Sequence, residues 1–260
     1  MQQVWPGVFG VSLEEGMEEV LMVQSSQSVN PELPVGPEVK PVENMAAPER
    51  KPLVGQIVSL LPLEPGRDID GLYDISHGGK GDSQLWTYLP YGPFVNKPEM
   101  KSWLEQQASS TDPLFFTVVK NDDHRPLGLV SFLAIVPLMR RLELGHIWYG
   151  PEVQRTKVNT ETICLMLAEA FDRLNYRRVE WKCDALNARS RAAALRLGFS
   201  YEGLFRQHII YKGRNRDTAW YAMLDYEWPA IKANMERWLY SNEPGLSLHR
   251  LNNRLKTDAS

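Results

Sequence analysis

The run Gln154-Arg155-Thr156-Lys157-Val158-Asn159-Thr160 carries residue types suited to holding a polyanion. It follows a β-rich segment ending at Tyr149. It opens a helix over Thr160–Asn175, whose apolar residues Ile163, Leu167, Ala170, Phe171 and Leu174 recur at the helical period. The first turn of a helix leaves backbone N–H groups without internal partners, and the helix dipole adds partial positive charge. Pyrophosphate binds well at such a terminus, and Arg155 and Lys157 supply charge of the right sign. On the preceding strand, His146 has the ordinary pKa of a base that works near neutral pH, directly or through water. It reads equally as a histidine satisfied in the core. Glu143 and Glu180 are the other candidate bases. Strand residues alternate faces, so His146 and Glu143 share a site only if a β-bulge intervenes.

A second motif, Asn187-Ala188-Arg189-Ser190, opens a short helix over Ala188–Leu197 that closes on Leu197-Gly198-Phe199. Asn187 suits an N-cap and Gly198 a left-handed C-cap. Arg189 and Arg196 are expected on its exposed face. Upstream, the aromatic run Trp86, Tyr88, Tyr91 and Phe94 is broken by Pro90, Gly92 and Pro93. It reads either as the wall of a pocket or as a loop capping the core.

These groups need a scaffold, and the chain spells out an alternating one. Strand patterns cover Gly55–Leu61, Leu114–Lys120, Pro126–Val136, Leu142–Tyr149, Arg178–Ala185, Leu204–Lys212 and Thr218–Tyr226. Helical segments are expected at Asp68–Ser76 and Pro98–Ser109, and a closing helix runs from Pro229 to about Tyr240. The order implies an α/β fold: a strongly twisted mixed central sheet with helices on both faces. Residues 1–50 form a proline-rich N-terminal extension, with Pro31, Pro34, Pro37, Pro41 and Pro48 in quick succession and room for a short helix near Ser12–Gln24. The domain proper is 51–240. Residues 241–260, poor in apolar side chains, read as a flexible tail.

Composition narrows the function. With 260 residues, 43% hydrophobic and 23% charged, the chain suits one substantial globular domain. A net charge of -3 offers no electrostatic case for nucleic acid. Cys164 and Cys183 show neither a metal-ligand spacing nor a disulfide framework, so no metal is expected and the compartment is a reducing one. No Lys or Arg precedes Lys40, which fits neither a secretory nor a mitochondrial leader, and no apolar run is long enough to span a bilayer. The expectation is a soluble cytoplasmic protein, monomer or homodimer, without a membrane partner.

The layout over residues 50–240, densest at 144–228, resembles the GNAT superfamily of acyl-CoA N-acyltransferases. It lies nearest the ribosomal-protein N-acetyltransferase (Rim-type) branch. The family's pyrophosphate loop reads [Q/R]-x-x-G-x-[G/A]; Gln154 matches it, Lys157 and Asn159 stand at both glycine positions, and Thr160-Glu161 follows as in Rim-type enzymes. The stretch from Gly145 to Pro151 is one residue longer than the usual Rim-type spacing, which is what a bulge needs. The resemblance implies acetyl-CoA as cosubstrate, held by Trp148, Tyr149, Gln154, Arg155, Thr156, Lys157, Val158, Asn159, Thr160, Asn187 and Ser190. Asn187 would bond the pantetheine arm, and a backbone N–H near Trp148 or Tyr149 would stabilise the oxyanion. Where the family places a hydroxyl to protonate the thiolate, this chain has Ala194, leaving water or a neighbouring hydroxyl such as Ser190. The acceptor, a small-molecule amine or a peptide N-terminus, would meet Trp86, Tyr88, Tyr91, Phe94, Arg206, Asp217 and Trp220. Because both loop glycines and the hydroxyl are replaced, a catalytically silent CoA sensor or interaction scaffold is the alternative.

Overall fold

The computed structural model describes residues 33–42, 45–77 and 82–257. The chain divides into two compact units, Met1–Pro41 and Val42–Ser260. In the first, residues 33–41 form no helix or strand, and the short helix suggested near Ser12–Gln24 lies outside the described residues.

Among its described residues the second unit holds eight strands: β1 (Leu53–Val54), β2 (Val58–Pro62), β3 (Leu114–Lys120), β4 (Pro126–Val136), β5 (Arg141–Tyr149), β6 (Arg178–Asp184), β7 (Ser200–Tyr211) and β8 (Arg214–Leu224). They form one sheet in the order β1-β2-β3-β4-β5-β6-β8-β7. Only β5 and β6 run parallel; the other pairs are antiparallel. The sheet is therefore mixed, as its sequence pattern implied.

Strands β3 and β4 are continuous apolar runs because both of their faces are covered. Leu114, Phe116, Val118, Val130 and Phe132 point into one hydrophobic cluster, with Leu142, Leu144, Ile163 and Leu167. Phe115 and Leu129 point into a second, with Ile69, Leu72, Met100 and Leu104. The first cluster is closed by α4 (Val158–Ala168), which continues through a π turn over Glu169–Arg173. Helix α6 (Trp228–Tyr240) joins it through Trp228, Ile231 and Met235. The second cluster lies under α1 (Pro65–His77) and α3 (Lys97–Ser109), with the short α2 (Asp82–Leu85) between them. Helix α5 (Ala188–Arg196) follows β6.

Two differences from the sequence expectations concern the ends of the domain. The run Gly55–Leu61 is not strand throughout: residues 55–57 form the turn between β1 and β2, and the strand starts at Val58. What sets that turn is Glu161, fully buried in the first turns of α4. Its carboxylate accepts from the backbone N–H groups of Gln56 (3.1 Å), Ile57 (2.8 Å) and Val58 (2.7 Å), and from the Tyr240 hydroxyl (2.6 Å). Glu161 thus acts as a staple between the sheet edge, α4 and the end of α6. At the other end, a helix α7 (Leu248–Thr257) differs from the flexible tail expected over 241–260. It buries Leu248 and Asn252, and Asn252 donates to the Arg196 carbonyl (2.9 Å) and accepts from Asn234 (3.1 Å). Leu248, Leu251 and Leu255 stand at helical spacing, and the low apolar content of the segment as a whole masks that period. No helix among the described residues is long and apolar enough to cross a membrane.

Candidate active site

The parallel pair holds only from Arg141↔Arg178 to Leu144↔Trp181. Beyond that rung β5 continues to Tyr149 and β6 to Asp184 without pairing to each other, so the sheet opens into a cleft between Gly145–Tyr149 and Lys182–Asp184. Helix α4 starts just past the end of β5, and α5 just past β6, so both helix N-termini lie at the open end of the cleft.

On the β4 side, Leu129 faces Trp148 and Ser131 faces Gly145. Both His146 and Ile147 therefore stand opposite Val130, which is a β-bulge. His146 takes up the distortion at φ 51°. Gly128 permits the close approach of β4 here: a Cβ at that position would lie 2.1 Å from the Trp148 carbonyl oxygen. The bulge resolves the conflict of strand alternation. Register through Phe115, Ser131 and Gly145 puts Glu143 on the sheet face of the second cluster, and His146 reaches the same side, 4.9 Å from the Phe115 ring and 5.5 Å from that of Tyr91.

Burial pushes the His146 imidazole down to about 4, and its Nδ1 has no hydrogen-bond partner among the described residues. A base so depressed in a ring of aromatics is a weak proton acceptor. It also carries a linkage. The folded value lies below the ordinary 6.5, so the unfolded chain binds more protons between the two, and stability falls as pH drops through that window. Over about 2.5 units at ~1.36 kcal/mol each, wild type is expected to lose about 3 kcal/mol more than His146→Gln between pH 7 and 4. Urea unfolding at both pH values checks this; equal acid sensitivity of the two proteins would refute it.

Glu143 and Glu180 are direct register partners across β5 and β6. Lys182 Nζ bridges them, 2.8 Å from Glu143 and 2.7 Å from Glu180, and lies 4.0 Å from the centre of the Trp220 ring. Burial raises the Glu143 carboxyl, opposed by the Lys182 ammonium. Burial acts the same way on Glu180, but hydrogen bonds from Lys182 and Arg178 outweigh it and hold that carboxyl below the ordinary range. Arg178 also grips Glu202 on β7 (2.8 Å). Sequence reasoning missed Lys182, although the spacing of Glu180 and Lys182 places them on one face of a strand.

Trp86, Tyr91 and Phe94 gather with Trp103, Phe115, His146 and Trp148 into one aromatic cluster. Trp86 and Phe94 are buried in the core, whereas Tyr88 and Tyr91 are half-buried. Gly92 makes the loop possible: at φ 63° its absent Cβ leaves room for the Trp86 ring, which would otherwise lie 2.4 Å away. The tip of the β7–β8 hairpin latches onto this loop, since Lys212 Nζ donates to the carbonyls of Trp86 (2.8 Å) and Tyr91 (3.1 Å). Tyr88 donates to the Leu186 carbonyl (3.2 Å) and Tyr211 to Asp184 (2.9 Å), so loop and hairpin both border the cleft mouth. Asp217 accepts from the Gln207 N–H (2.7 Å) and Asn215 (2.9 Å) within the hairpin, and Arg206 is exposed nearby.

At the phosphate loop, Gln154, Arg155, Thr156 and Lys157 are exposed, and Arg155 is left-handed at φ 64°. Gln154 donates to the Tyr149 carbonyl (3.3 Å), and the Thr156 hydroxyl accepts from the Val158 N–H (3.3 Å). Lys157 is directed elsewhere, its ammonium donating to the Leu239 carbonyl at the end of α6. Asn159 is half-buried, and Thr160, fully buried, accepts from Arg196 (3.0 Å). Arg196 thus differs from the exposed position expected for it: burial lowers its pKa, and its guanidinium stands 5.5 Å from the Trp238 ring centre. Asn187 caps α5, accepting from the Ser190 N–H (3.0 Å), and the Ser190 hydroxyl accepts from Trp181 (3.0 Å). Ala194 is fully buried.

An α/β sheet splayed at a parallel pair, with a bulged strand and two helix starts at the opening, defines a class that the comparisons identify. The model of the acetyltransferase (GNAT) domain matches residues 58–200, and the chain belongs to that family. A solved GCN5-related N-acetyltransferase from Brucella melitensis is 37% identical, with a TM-score of 0.76 over 80% of this chain and 96% of its own. The Bacillus subtilis (strain 168) putative ribosomal N-acetyltransferase YdaF is 29% identical over 105 residues, 40% of this chain and 57% of YdaF, so the match spans little more than half of that relative. The solved RimL ribosomal L7/L12 alpha-N-protein acetyltransferase, 19% identical, shares the fold with a TM-score of 0.59 over 67% of this chain and 94% of its own. Two of these relatives thus carry the name of a ribosomal-protein N-acetyltransferase.

Proposed function

We propose that this protein is a cytoplasmic N-acetyltransferase that moves an acetyl group from acetyl-CoA to a primary amine, of a small molecule or a peptide N-terminus. The amine attacks directly in a ternary complex. The observation that carries the reading is the end of β5–β6 pairing at Leu144 and Trp181, which leaves an open cleft flanked by carboxylates and by the start of α4. Residues around it fit the cosubstrate: exposed Gln154, Arg155 and Thr156 with the first N–H groups of α4 suit the pyrophosphate, and Asn187 with Ser190 suits the pantetheine amide. When bound, acetyl-CoA supplies the activated acyl carbon.

The chain's own work is to bring the amine alongside, remove its proton and steady the oxyanion. Holding the two reactants together lowers the barrier by several kcal/mol, about 7 to 11 in the best cases. Glu143 is the base this geometry favours over His146: it stands on the last paired rungs beside the opening, and its raised pKa brings it nearer to that of a useful acceptor. Glu180, held low by two cations, is less basic. A backbone N–H of the bulged strand near Trp148 or Tyr149 would steady the oxyanion, and water or Ser190 would return the proton to the thiolate. The half-buried Tyr88 and Tyr91, with Arg206, Asp217 and Trp220 on the hairpin, border the path of the acceptor.

One observation favours the second reading, a weak or silent CoA binder: Lys157 is committed to Leu239 rather than to the phosphate side. Calorimetry with acetyl-CoA, CoA and succinyl-CoA tests binding, and turnover with a panel of amines separates enzyme from sensor. Arg155→Glu is expected to weaken acetyl-CoA by roughly tenfold or more, the effect of losing one charge-assisted phosphate contact. No affinity in wild type at millimolar acetyl-CoA would end both readings.

A further inference from the structure

Glu143 and Glu180 sit side by side across the parallel pair, on strands spaced about 4.8 Å apart. Both side chains are largely withdrawn from water, at 11% and 6% exposure. Two carboxylates so placed do not both ionise without a cation between them. The charged groups that face Glu143 are few. From β6 come Glu180 and Lys182, with Arg178 behind Glu180; from β8 comes Arg216, with the neutral Trp220 ring. From β4, its register partner Leu133 carries no charge. Of these cations, Lys182 alone contacts both carboxylates. It is also the first β6 residue past the last paired rung, at the apex of the cleft. Trp220, its register partner on β8, covers the ammonium at 4.0 Å, which fixes it against the sheet.

We propose that Lys182 is the positioning residue of the transfer site: a charge clamp that holds Glu143 and Glu180 ionised together, and so keeps Glu143 ready to take the acceptor's proton. The last clause rests on the reading of Glu143 as base; the clamp itself does not. Lys182 contacts neither acyl carbon nor amine in this scheme, and acts through Glu143. Loss of the clamp leaves two carboxylates facing each other, so the proton that one of them must then hold goes to Glu143, because Glu180 keeps its hydrogen bond from Arg178. The base would be occupied at pH values where it is now open.

The test is a carboxyl ¹³C NMR titration of the full chain labelled at glutamate, with the Glu143 signal assigned through Glu143→Gln. In Lys182→Met the Glu143 midpoint is expected to rise by more than about one unit. In Lys182→Arg it should return most of the way, because the charge is restored even though the shape is not. Glu180→Gln keeps Lys182 and removes the competing charge, so the midpoint should move the other way, downward. That second variant decides the matter if Lys182→Met does not fold. A midpoint that stays put in Lys182→Met, or in Glu180→Gln where that is the variant that folds, overturns the clamp.

The titration needs no turnover, so it stands apart from the assignment of the activity. Where turnover is measurable, the acid limb of kcat/KM should track the midpoint across the variants. A limb that ignores a shifted midpoint removes Glu143 as base and leaves the clamp in place.

Discussion

Glu143→Gln is expected to lower kcat by about 10²–10⁴-fold, the range that a positioned general base contributes, with little change in melting temperature. The substitution keeps the shape and one hydrogen-bond acceptor for Lys182, and Lys182 retains its ion pair with Glu180. No buried charge is left alone, so stability has no large reason to fall. The rate has one: the amide that replaces the carboxylate cannot accept a proton. His146→Gln supplies the contrast. Its imidazole is already held neutral by burial, with a pKa near 4, so its loss should show in the acid stability profile far more than in turnover at pH 7. For wild type, kcat/KM should rise with pH through a midpoint above the ordinary carboxylate value, because the Glu143 carboxyl is raised. Wild-type turnover in Glu143→Gln, or a His146→Gln variant that loses rate without losing acid sensitivity, would return the base assignment to His146.

The largest effect on stability is expected at Glu161, far from any reacting atom. Three backbone N–H groups and the Tyr240 hydroxyl converge on its buried carboxylate. Hydrogen bonds to a charged group contribute about 1.5–3 kcal/mol each. Glu161→Gln places an amide NH₂ among donors, so at least one of the four contacts is lost and another is weakened. A loss of about 3 kcal/mol or more in urea unfolding is expected, with faster amide exchange confined first to residues 55–58. A loss below ~1 kcal/mol would mean that the β1–β2 turn is held by packing alone. The same carboxylate sits near the start of α4, so loosening it should also weaken acetyl-CoA binding there.

Much of the scaffold was legible in the sequence, because its signals are local. The runs Leu114–Lys120 and Pro126–Val136 are rich in β-branched and aromatic residues and are separated by a polar turn, and both match β3 and β4 residue for residue. Asn187 and Gly198 announced the two ends of α5 through their capping chemistry, and the structure gives Asn187 its Ser190 N–H and Gly198 a φ of 100°. The bulge, too, left a trace, as one residue too many between Gly145 and Pro151. What the sequence could not carry is proximity. Glu143 and Lys182 are 39 residues apart and meet because β5 and β6 lie parallel in one particular register. Lys212 reaches backbone carbonyls of Trp86 and Tyr91 more than a hundred residues away, and a carbonyl acceptor has no side chain by which a sequence could mark it. Lys157 looked like a phosphate ligand by its place in the loop, but the end of α6 packs within its reach and takes its ammonium. Local composition determined which elements form and where they end, since capping, turn chemistry and hydrophobic period act over a few residues. Tertiary structure decided which charges share a site, since a charge's partner and its protonation follow from what the fold brings within a few ångströms and how much water it shuts out.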